Sequence, residues 1–267
     1  MAGPAKRLNP IDLIAIFGLE PAKALAYLTL KGYAITWDWQ DQLDHAHDQA
    51  FTVAKAMRLD LLSDIRGALE KALQQGHTLQ QFTAQLKPTL QAQGWWGQQY
   101  IVDAQGNAEH VRLGSPRRLK TIYQTNLQSA YMAGRKASME QTTDTHPYWM
   151  YIAILDSKTR PSHRALHGQV FRHDDPLWSA VFPPNGFNCR CRVVALSAAA
   201  VQRMGLTVVS SHGRLFTETV ETGTDKRTGE VRTATVTGLR LSNLQGQPIT
   251  FRTDPGFNHA PGAARAD

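Results

Sequence analysis

Two stretches of this chain combine strand-like, charged and potentially metal-ligating residues. The first is Tyr148-Trp-Met-Tyr-Ile-Ala-Ile-Leu155, which runs directly into Asp156-Ser-Lys-Thr-Arg-Pro-Ser-His-Arg-Ala-Leu-His-Gly168. The second is Phe182-Pro-Pro-Asn-Gly-Phe-Asn-Cys-Arg-Cys191, whose cysteines open a second strand-like run over Cys189–Leu196. Short apolar runs bounded by turn residues are typical of buried strands. We therefore expect a compact sheet with packed helices here, joined by loops that carry its chemistry.

Two elements are predicted immediately before this sheet. Asp103-Ala-Gln-Gly-Asn107 is a turn signal between two β-prone runs, so a hairpin is expected over Tyr100–Val111. Ser115-Pro116 has the pattern of a helix start, and apolar residues then recur at helical spacing from Leu119 to Ala137. This pattern predicts one long helix.

The flanking regions predict an α+β protein in three parts. Residues 1–99 form a helical block, in which Thr78-Leu-Gln-Gln81 has the pattern of a capping box. Residues 100–200 form the sheet-plus-helix domain, and residues 201–267 form a β-rich tail with a hairpin turn at Asp225–Gly229. The tail is expected to be a peripheral arm. Its last ~12 residues are expected to be poorly ordered, because from Asp254 the chain is rich in Pro, Gly and Ala.

Composition restricts the class of protein. A chain of 267 residues with 42% hydrophobic residues can bury a core without disulfide support. No run approaches the ~18–20 apolar residues of a membrane span, and the N-terminus lacks the apolar segment of a secretory signal. Cys189 and Cys191 are the two cysteines, and such a close pair does not make a disulfide scaffold. These features predict no membrane association and a reducing cytoplasm.

The positive charge is concentrated in the same region as the cysteines. Six basic and three acidic side chains lie between Asp156 and Arg192, so this segment holds +3 of the formal net charge of +7. The charge therefore indicates one basic surface, facing either DNA or an acidic partner, rather than a general affinity for nucleic acid.

Four residues in these stretches predict a metal site. His163 and His167 are four residues apart, so on a helix both rings lie on one face. Cys189 and Cys191 are two apart, so on a strand both sulfurs lie on one face. Two imidazoles and two thiolates form a suitable tetrahedral set for Zn²⁺, with His173 as a substitute ligand. Three alternatives remain open: buried structural side chains, a redox pair, and a Cys–His nucleophile.

The sequence motifs of the chain are compatible with two functions other than a structural role. The chain contains no Gly-x-Ser-x-Gly elbow, no Walker A loop, no His-Glu-x-x-His and no dinucleotide-binding fingerprint. The first rival is a cysteine- or zinc-dependent hydrolase, because a cysteine beside a histidine can act as a nucleophile. The second is a DNA-binding module, although no basic residues are interleaved with the tryptophan pairs.

Over about residues 116–197 the sequence resembles the phage Mu protein F-like family, also called MuF-domain or minor head proteins. The helix carries Ile122-Tyr-Gln-Thr-Asn126, and the strand and loops follow in the order typical of that family. The segment Asp254-Pro-Gly-Phe-Asn-His-Ala-Pro-Gly262 resembles one that follows the domain in Mu-type members. The family motif corresponds here to Asp156, Arg160, His163, Gly168, Asn188, Cys189, Arg190 and Cys191.

This resemblance implies a phage or prophage structural protein needed for head morphogenesis, which we expect to be non-enzymatic. The rival hydrolase would act in head maturation. Members of the family lie in the virion head interior or portal region and are made in the host cytoplasm during assembly. The implied partners are the portal protein, the major capsid protein, or both, with packaged DNA as a further contact. The helical block would supply the docking surface. The cysteines and histidines would join the loops of the domain, with or without zinc.

Overall fold

A computed structural model describes residues 21–102, 108–225 and 228–263 of the chain. Its helices are α1 (Pro21–Thr29), α2 (Ala46–Gln49), α3 (Leu59–Gln75), α4 (Leu79–Ala92), α5 (Pro116–Glu140), α6 (Pro161–Ala165) and α7 (Ala198–Arg203). Its strands are β1 (Gly32–Tyr33), β2 (Ala50–Phe51), β3 (Gln98–Val102), β4 (Ala108–Arg112), β5 (Tyr148–Ile152), β6 (Val170–Arg172), β7 (Arg192–Leu196), β8 (Val208–Val209), β9 (Leu215–Thr224), β10 (Val231–Ser242) and β11 (Pro248–Arg252). Helices and sheets are both extensive, which confirms the α+β class.

The first hydrophobic core is built mainly from helices. α1, α3, α4 and the N-terminal half of α5 bury leucine and isoleucine side chains such as Leu62, Ile65 and Leu90. The capping box is confirmed: the Thr78 hydroxyl accepts from the Gln81 amide at 3.3 Å, and the Gln81 side chain accepts from the Thr78 amide at 2.8 Å. These reciprocal bonds satisfy amides that have no partner inside the helix. The start of α4 is therefore determined locally.

The hairpin and the long helix that follow are also confirmed. β3 and β4 pair antiparallel, with Gln98 opposite Arg112, whereas the expected turn at Asp103–Asn107 lies outside the described residues. α5 begins after Ser115, whose hydroxyl accepts from the Arg118 amide at 3.2 Å. Because α5 is 25 residues long, its first half packs in the helical core and its second half in a second core. This helix therefore links the two layers.

The second core surrounds a four-stranded sheet in the order β7-β5-β6-β8. β5 lies between β7 and β6 and pairs antiparallel with both. Its side chains Trp149 and Tyr151 point into the core and are almost fully buried. The apolar run starting at Tyr148 is therefore a central strand, as its composition predicts.

The tail is part of this core, contrary to the expectation of a peripheral arm. β9, β10 and β11 form an antiparallel sheet whose Leu239, Leu241 and Phe251 are buried with the side chains of β5. Four consecutive residues of β10, 236–239, are buried, so Leu239 and Leu241 face this core while Ala234 and Val236 lie on the opposite face of the strand. The predicted turn at Asp225–Gly229 connects β9 to β10, and its residues 226–227 lie outside the described chain.

Residues 254–263 pack across both cores, although their composition predicts poor order after Asp254. We call residues 254–263 the C-terminal strap. Its amides donate to carboxylates of the N-terminal part: Asn258 to Asp44 at 2.9 Å and Gly262 to Asp48 at 3.0 Å. These partly buried hydrogen bonds to carboxylate oxygens compensate for the low apolar content of this segment. Residues 264–267 lie outside the described chain.

The two cores do not coincide with the expected bounds at residues 100 and 200. The helical core extends to Ala133 and includes the β3–β4 hairpin, whereas the second core runs from Met132 to Ala260. Among the helices of the described residues, none has the length and hydropathy required to cross a membrane.

Candidate metal centre

Three side chains predicted as ligands meet inside the second core. The His163 ring lies on α6, and Cys189 and Cys191 lie in the loop that precedes β7. The Nδ1 atom of His163 is 3.7 Å from the Cys189 sulfur and 3.6 Å from the Cys191 sulfur. All three potential ligand atoms lie within 4.8 Å of one another, and both cysteines are free thiols.

The fourth predicted ligand, His167, is not part of this cluster. α6 ends at Ala165, so the helical spacing that would place His163 and His167 on one face is interrupted. Gly168 then turns the chain at φ +81°, and the Nδ1 atom of His167 accepts from the Ala153 amide at 3.2 Å. The expected ligand pair from one helix is therefore corrected to a single histidine.

The substitute ligand His173 also lies elsewhere. Its ring packs against Trp149 at 6.3 Å between ring centres, and its amide donates to the Pro147 carbonyl. The cysteines converge without the predicted strand geometry, because β7 begins only at Arg192. Asn188 instead adopts a left-handed conformation, with φ of 59°, that bends the loop just before Cys189.

A close approach between two loops supports this bend. A side-chain carbon on Gly186 would lie 2.1 Å from the Asp254 carboxylate, so only glycine leaves room for it. Arg160 donates to that carboxylate at 2.7 Å and to the Phe187 carbonyl at 3.3 Å. Burial raises the pKa of Asp254, while the Arg160 guanidinium acts in the opposite direction. Arg160, predicted only as a motif residue, therefore joins α6 to the strap.

The motif residues Asp156 and Arg190 form a second clamp across the site. Both terminal nitrogens of Arg190 donate to the Asp156 carboxylate, at 2.8 and 2.6 Å. The bonds from Arg190 hold the pKa of Asp156 well below its usual value. A bidentate pair fixes orientation as well as distance. It therefore holds the loop after β5 against the backbone between the two cysteines.

The pKa values of the two cysteine thiols are shifted in opposite directions. A hydrogen bond from Cys191 and the nearby His163 lower the pKa of Cys189 despite its burial, whereas the contact with Cys189 and burial raise the pKa of Cys191. Cys189 is 6% exposed and Cys191 is 2% exposed. One thiolate is thus favoured in a dry site, which suits a metal ligand better than a nucleophile that a substrate must reach.

Sequence reasoning missed two neighbours of this cluster. Tyr151 on β5 is fully buried; it contacts Cys191, and its hydroxyl oxygen accepts from Asn185 at 3.1 Å. Burial, with a contribution from the cysteines, raises the pKa of Tyr151. Phe251 of the tail sheet packs on the His163 ring at 5.4 Å. Alternation along β5 marks Tyr151 as inward-facing, but no local signal connects Phe251 to a histidine 88 residues earlier.

The donor set supplies three of the four ligands of a tetrahedral zinc ion. With zinc–sulfur and zinc–nitrogen bonds of about 2.3 and 2.0 Å, a nitrogen and a sulfur on one ion are about 3.6 Å apart. The two Nδ1–sulfur distances match this value. The Nε2 atom of His163 is buried with no hydrogen-bond partner among the described residues, and an ion bound at Nδ1 would leave it in that state. Zinc would act here as a Lewis acid that cross-links the loops.

Comparison with known proteins relates the whole chain to phage proteins. The profile of the family described as Phage Mu protein F like protein matches residues 63–194, which include His163, Cys189 and Cys191. A protein of Escherichia phage Mu that bears the name capsid assembly protein F is 49% identical over 255 residues, which cover 95% of this chain and 57% of that protein. The FluMu F protein of a Mu-like prophage in Haemophilus influenzae is 45% identical over 230 residues, covering 86% and 53% respectively.

The chain thus spans a little over half the length of these curated relatives. No solved structure matches it.

Proposed function

Because this chain belongs to the phage Mu protein F-like family, we propose that it acts in assembly of the phage head. The observation that carries this proposal is the 49% identity, over 95% of the chain, to a protein named for capsid assembly. Its proposed location is the head interior or portal region of the virion, and the host cytoplasm during assembly.

A chimera tests this function, since the chain covers only part of its relative. In the chimera, this chain replaces the matching segment of the phage Mu protein. The chimera is then tested in a phage whose own F gene carries an early stop codon. We expect DNA-filled heads, counted by electron microscopy, at a level within about ten-fold of that of the intact Mu gene. A soluble chimera that leaves heads unassembled would contradict the proposal.

The partner proposed for the helical block is the portal protein, the major capsid protein, or both. Four large apolar side chains between residues 30 and 59 are 46–68% exposed, and such side chains support a docking role where they lie together. The Lys55 amide donates to the Thr36 carbonyl at 2.9 Å, and this hydrogen bond joins the segments that carry Ile35 and Met57. These side chains are Leu30, Ile35, Met57 and Leu59.

Photo-crosslinking during infection identifies which head protein is contacted. A crosslinking amino acid at Leu59 is expected to capture the portal or the major capsid protein, whereas one at Lys71 on the exposed side of α3 serves as the control. Equal capture from both positions would contradict docking through this surface.

We propose in addition that His163, Cys189 and Cys191 bind one Zn²⁺ that holds α6 against the loop before β7. The matching donor distances support this assignment. Cys189→Ser and His163→Ala are expected to lose bound zinc and to lower the melting temperature by several degrees, because the cross-link between two loops is lost. Zinc content is measured by mass spectrometry of the purified protein.

His167→Ala is the matched control, because it removes an imidazole that lies four residues away and outside the cluster. It should retain the zinc content of the parent. Equal loss in both histidine variants, or no zinc in the parent protein, would contradict the assignment. A zinc ion with an exchangeable water would instead favour the hydrolase alternative.

A further inference from the structure

A cavity of about 330 Å³ lies between the helical block and the C-terminal strap, away from the metal centre. One wall is a face of α5 that includes Thr125 and Asn126, another is the loop from Pro184 to Phe187, and the third is the strap from Pro255 to Pro261. All three segments stood out in the sequence, yet none of these wall residues belongs to the His163, Cys189 and Cys191 cluster. Their convergence on one cavity calls for a separate explanation.

One side of the cavity is aromatic. Trp39 packs edge-on against Phe187 at 6.2 Å between ring centres, and Phe187 packs edge-on against Phe257 at 4.9 Å. Gly256 permits this arrangement, because it has φ of +80° and a side-chain carbon there would lie 3.2 Å from Leu43. Three rings from distant parts of the chain thus form an apolar wall.

The lining of the cavity also includes basic side chains. No aspartate or glutamate is among the described residues that line the cavity, whereas Arg118 and Lys31 both line it. Arg118 stacks on Trp95 at 4.7 Å and donates to the carbonyls of Arg112, Leu113 and Ala54. Within the described chain no carboxylate lies within the 4.0 Å of an ion pair with Arg118. Burial lowers its pKa to about 10.

Two further side chains at the cavity also have unused hydrogen-bonding capacity. Thr125 Oγ1 and His259 Nδ1 are buried and have no hydrogen-bond partner among the described residues. Buried polar groups left in this state cost stability, and so does a buried guanidinium without a counter-ion. An anionic ligand with hydrogen-bonding groups would relieve both costs.

We propose that this cavity binds a short peptide segment of a head-protein partner, with an acidic side chain at Arg118 and an apolar neighbour against the aromatic wall. This inference rests on the proposed function in head assembly. The Arg118 guanidinium, which has no carboxylate partner among the described residues, matches the one charge of a carboxylate. A volume near the lower end of the range for ligand pockets suits a segment of a few residues.

Two capped dipeptides test the proposal directly on the full chain. Acetyl-Glu-Leu-amide and acetyl-Gln-Leu-amide have the same size and differ in one charge. Titration followed by the indole N–H signals of the tryptophans should show at least ten-fold tighter binding of the glutamate peptide. Arg118→Gln is expected to abolish this preference, whereas Arg117→Gln, which removes an exposed charge from the same helical turn, should preserve it.

Because the Arg118 guanidinium also donates hydrogen bonds to three backbone carbonyls, its replacement affects the structure. Thr125→Val is a second variant, with a smaller expected effect on the structure. It should weaken the glutamate peptide several-fold while leaving the melting temperature nearly unchanged. Equal affinity for the two dipeptides would overturn the proposal. So would displacement of the glutamate peptide by inorganic phosphate at a lower concentration than the peptide itself, which would indicate a phosphate site.

The outcome remains distinguishable from that of the head-assembly experiment. If the chimera assembles heads but the dipeptides do not bind, the cavity assignment fails and the assembly role remains. If the glutamate peptide binds but the chimera does not assemble heads, the cavity is a carboxylate site and the assembly role fails.

Discussion

At the residue scale, the arrangement of the loops depends on positions where the backbone of one loop contacts a side chain of another. Gly186 lies between the Pro183-Pro184 turn and the cysteines, against the Asp254 carboxylate and Arg160. The Arg160–Asp254 pair is half-exposed, so its charge attraction alone contributes little. Its importance is geometric, because it fixes the strap beside the loop that carries Cys189.

Gly186→Ala is expected to destabilise the protein by roughly 1–3 kcal/mol, because the added carbon would lie 2.1 Å from the Asp254 oxygen and displace it. Gly67→Ala is the control, since it lies within α3 with no atom within 4 Å of the added carbon. It should be neutral or stabilising by about 0.5–1 kcal/mol. Urea unfolding measures both, and similar losses in the two variants would contradict the role of the close approach.

At the scale of elements, α5 connects the two layers. Its buried side chains from Leu119 to Ala133 belong mainly to the helical core, whereas Met132 and Met139 belong to the sheet core. α1 crosses it closely at Gly134, where a side-chain carbon would lie 3.1 Å from both the Ala24 amide and Lys23. A position without a side chain lets the two helix backbones approach each other and sets the position of α1.

Gly134→Val is therefore expected to push α1 away from α5 and to cost about 1–3 kcal/mol through overpacking. Ala137→Val on the exposed side of the same helix changes only helix propensity and should cost about 0.5 kcal/mol. Thermal and urea unfolding compare the two variants. Equal stability of Gly134→Val and the parent would show that the crossing tolerates a wider separation.

At the scale of the whole molecule, the C-terminal strap joins the last described residues to the start of the helical layer. Asp48 is completely buried and accepts hydrogen bonds from the Tyr27 hydroxyl at 2.6 Å and the Gly262 amide at 3.0 Å, with His259 at 3.6 Å. Burial acts to raise the pKa of Asp48, but the bonds from His259 and Tyr27 outweigh it and lower the pKa. The carboxylate form is therefore bound more tightly in the folded state.

Because the pKa of Asp48 is lower in the folded state than in the unfolded state, the free energy of unfolding decreases at acidic pH. The contribution of Asp48 is fully present above its unfolded pKa near 4 and is lost as the pH falls below that value. Asp48→Asn should cost roughly 2–4 kcal/mol at pH 7 and show a shallower decline between pH 4 and pH 2.5. Asp174→Asn, which removes an exposed carboxylate, should behave like the parent. Parallel pH profiles for Asp48→Asn and the parent would contradict this role.

Local patterns predicted much of this architecture. The capping residues Thr78 and Ser115, the period of the long helix and the apolar run at Tyr148 each involve residues within a few positions of one another. Their physical causes are equally local: amides without helical partners and side chains that repeat on one face. The α+β class and the identities of His163, Cys189 and Cys191 as candidate ligands follow from the sequence by itself.

Tertiary structure alone decided which histidine joins the cysteines and where the tail lies. His167 is excluded from the cluster because α6 ends at Ala165, before His167 can lie on the same helical face as His163. Its ring instead accepts from the Ala153 amide. The strap is ordered because Asp44 and Asp48, more than 200 residues earlier, accept its amides. Contacts across such separations depend on the assembled cores, which bring together groups that no sequence window contains.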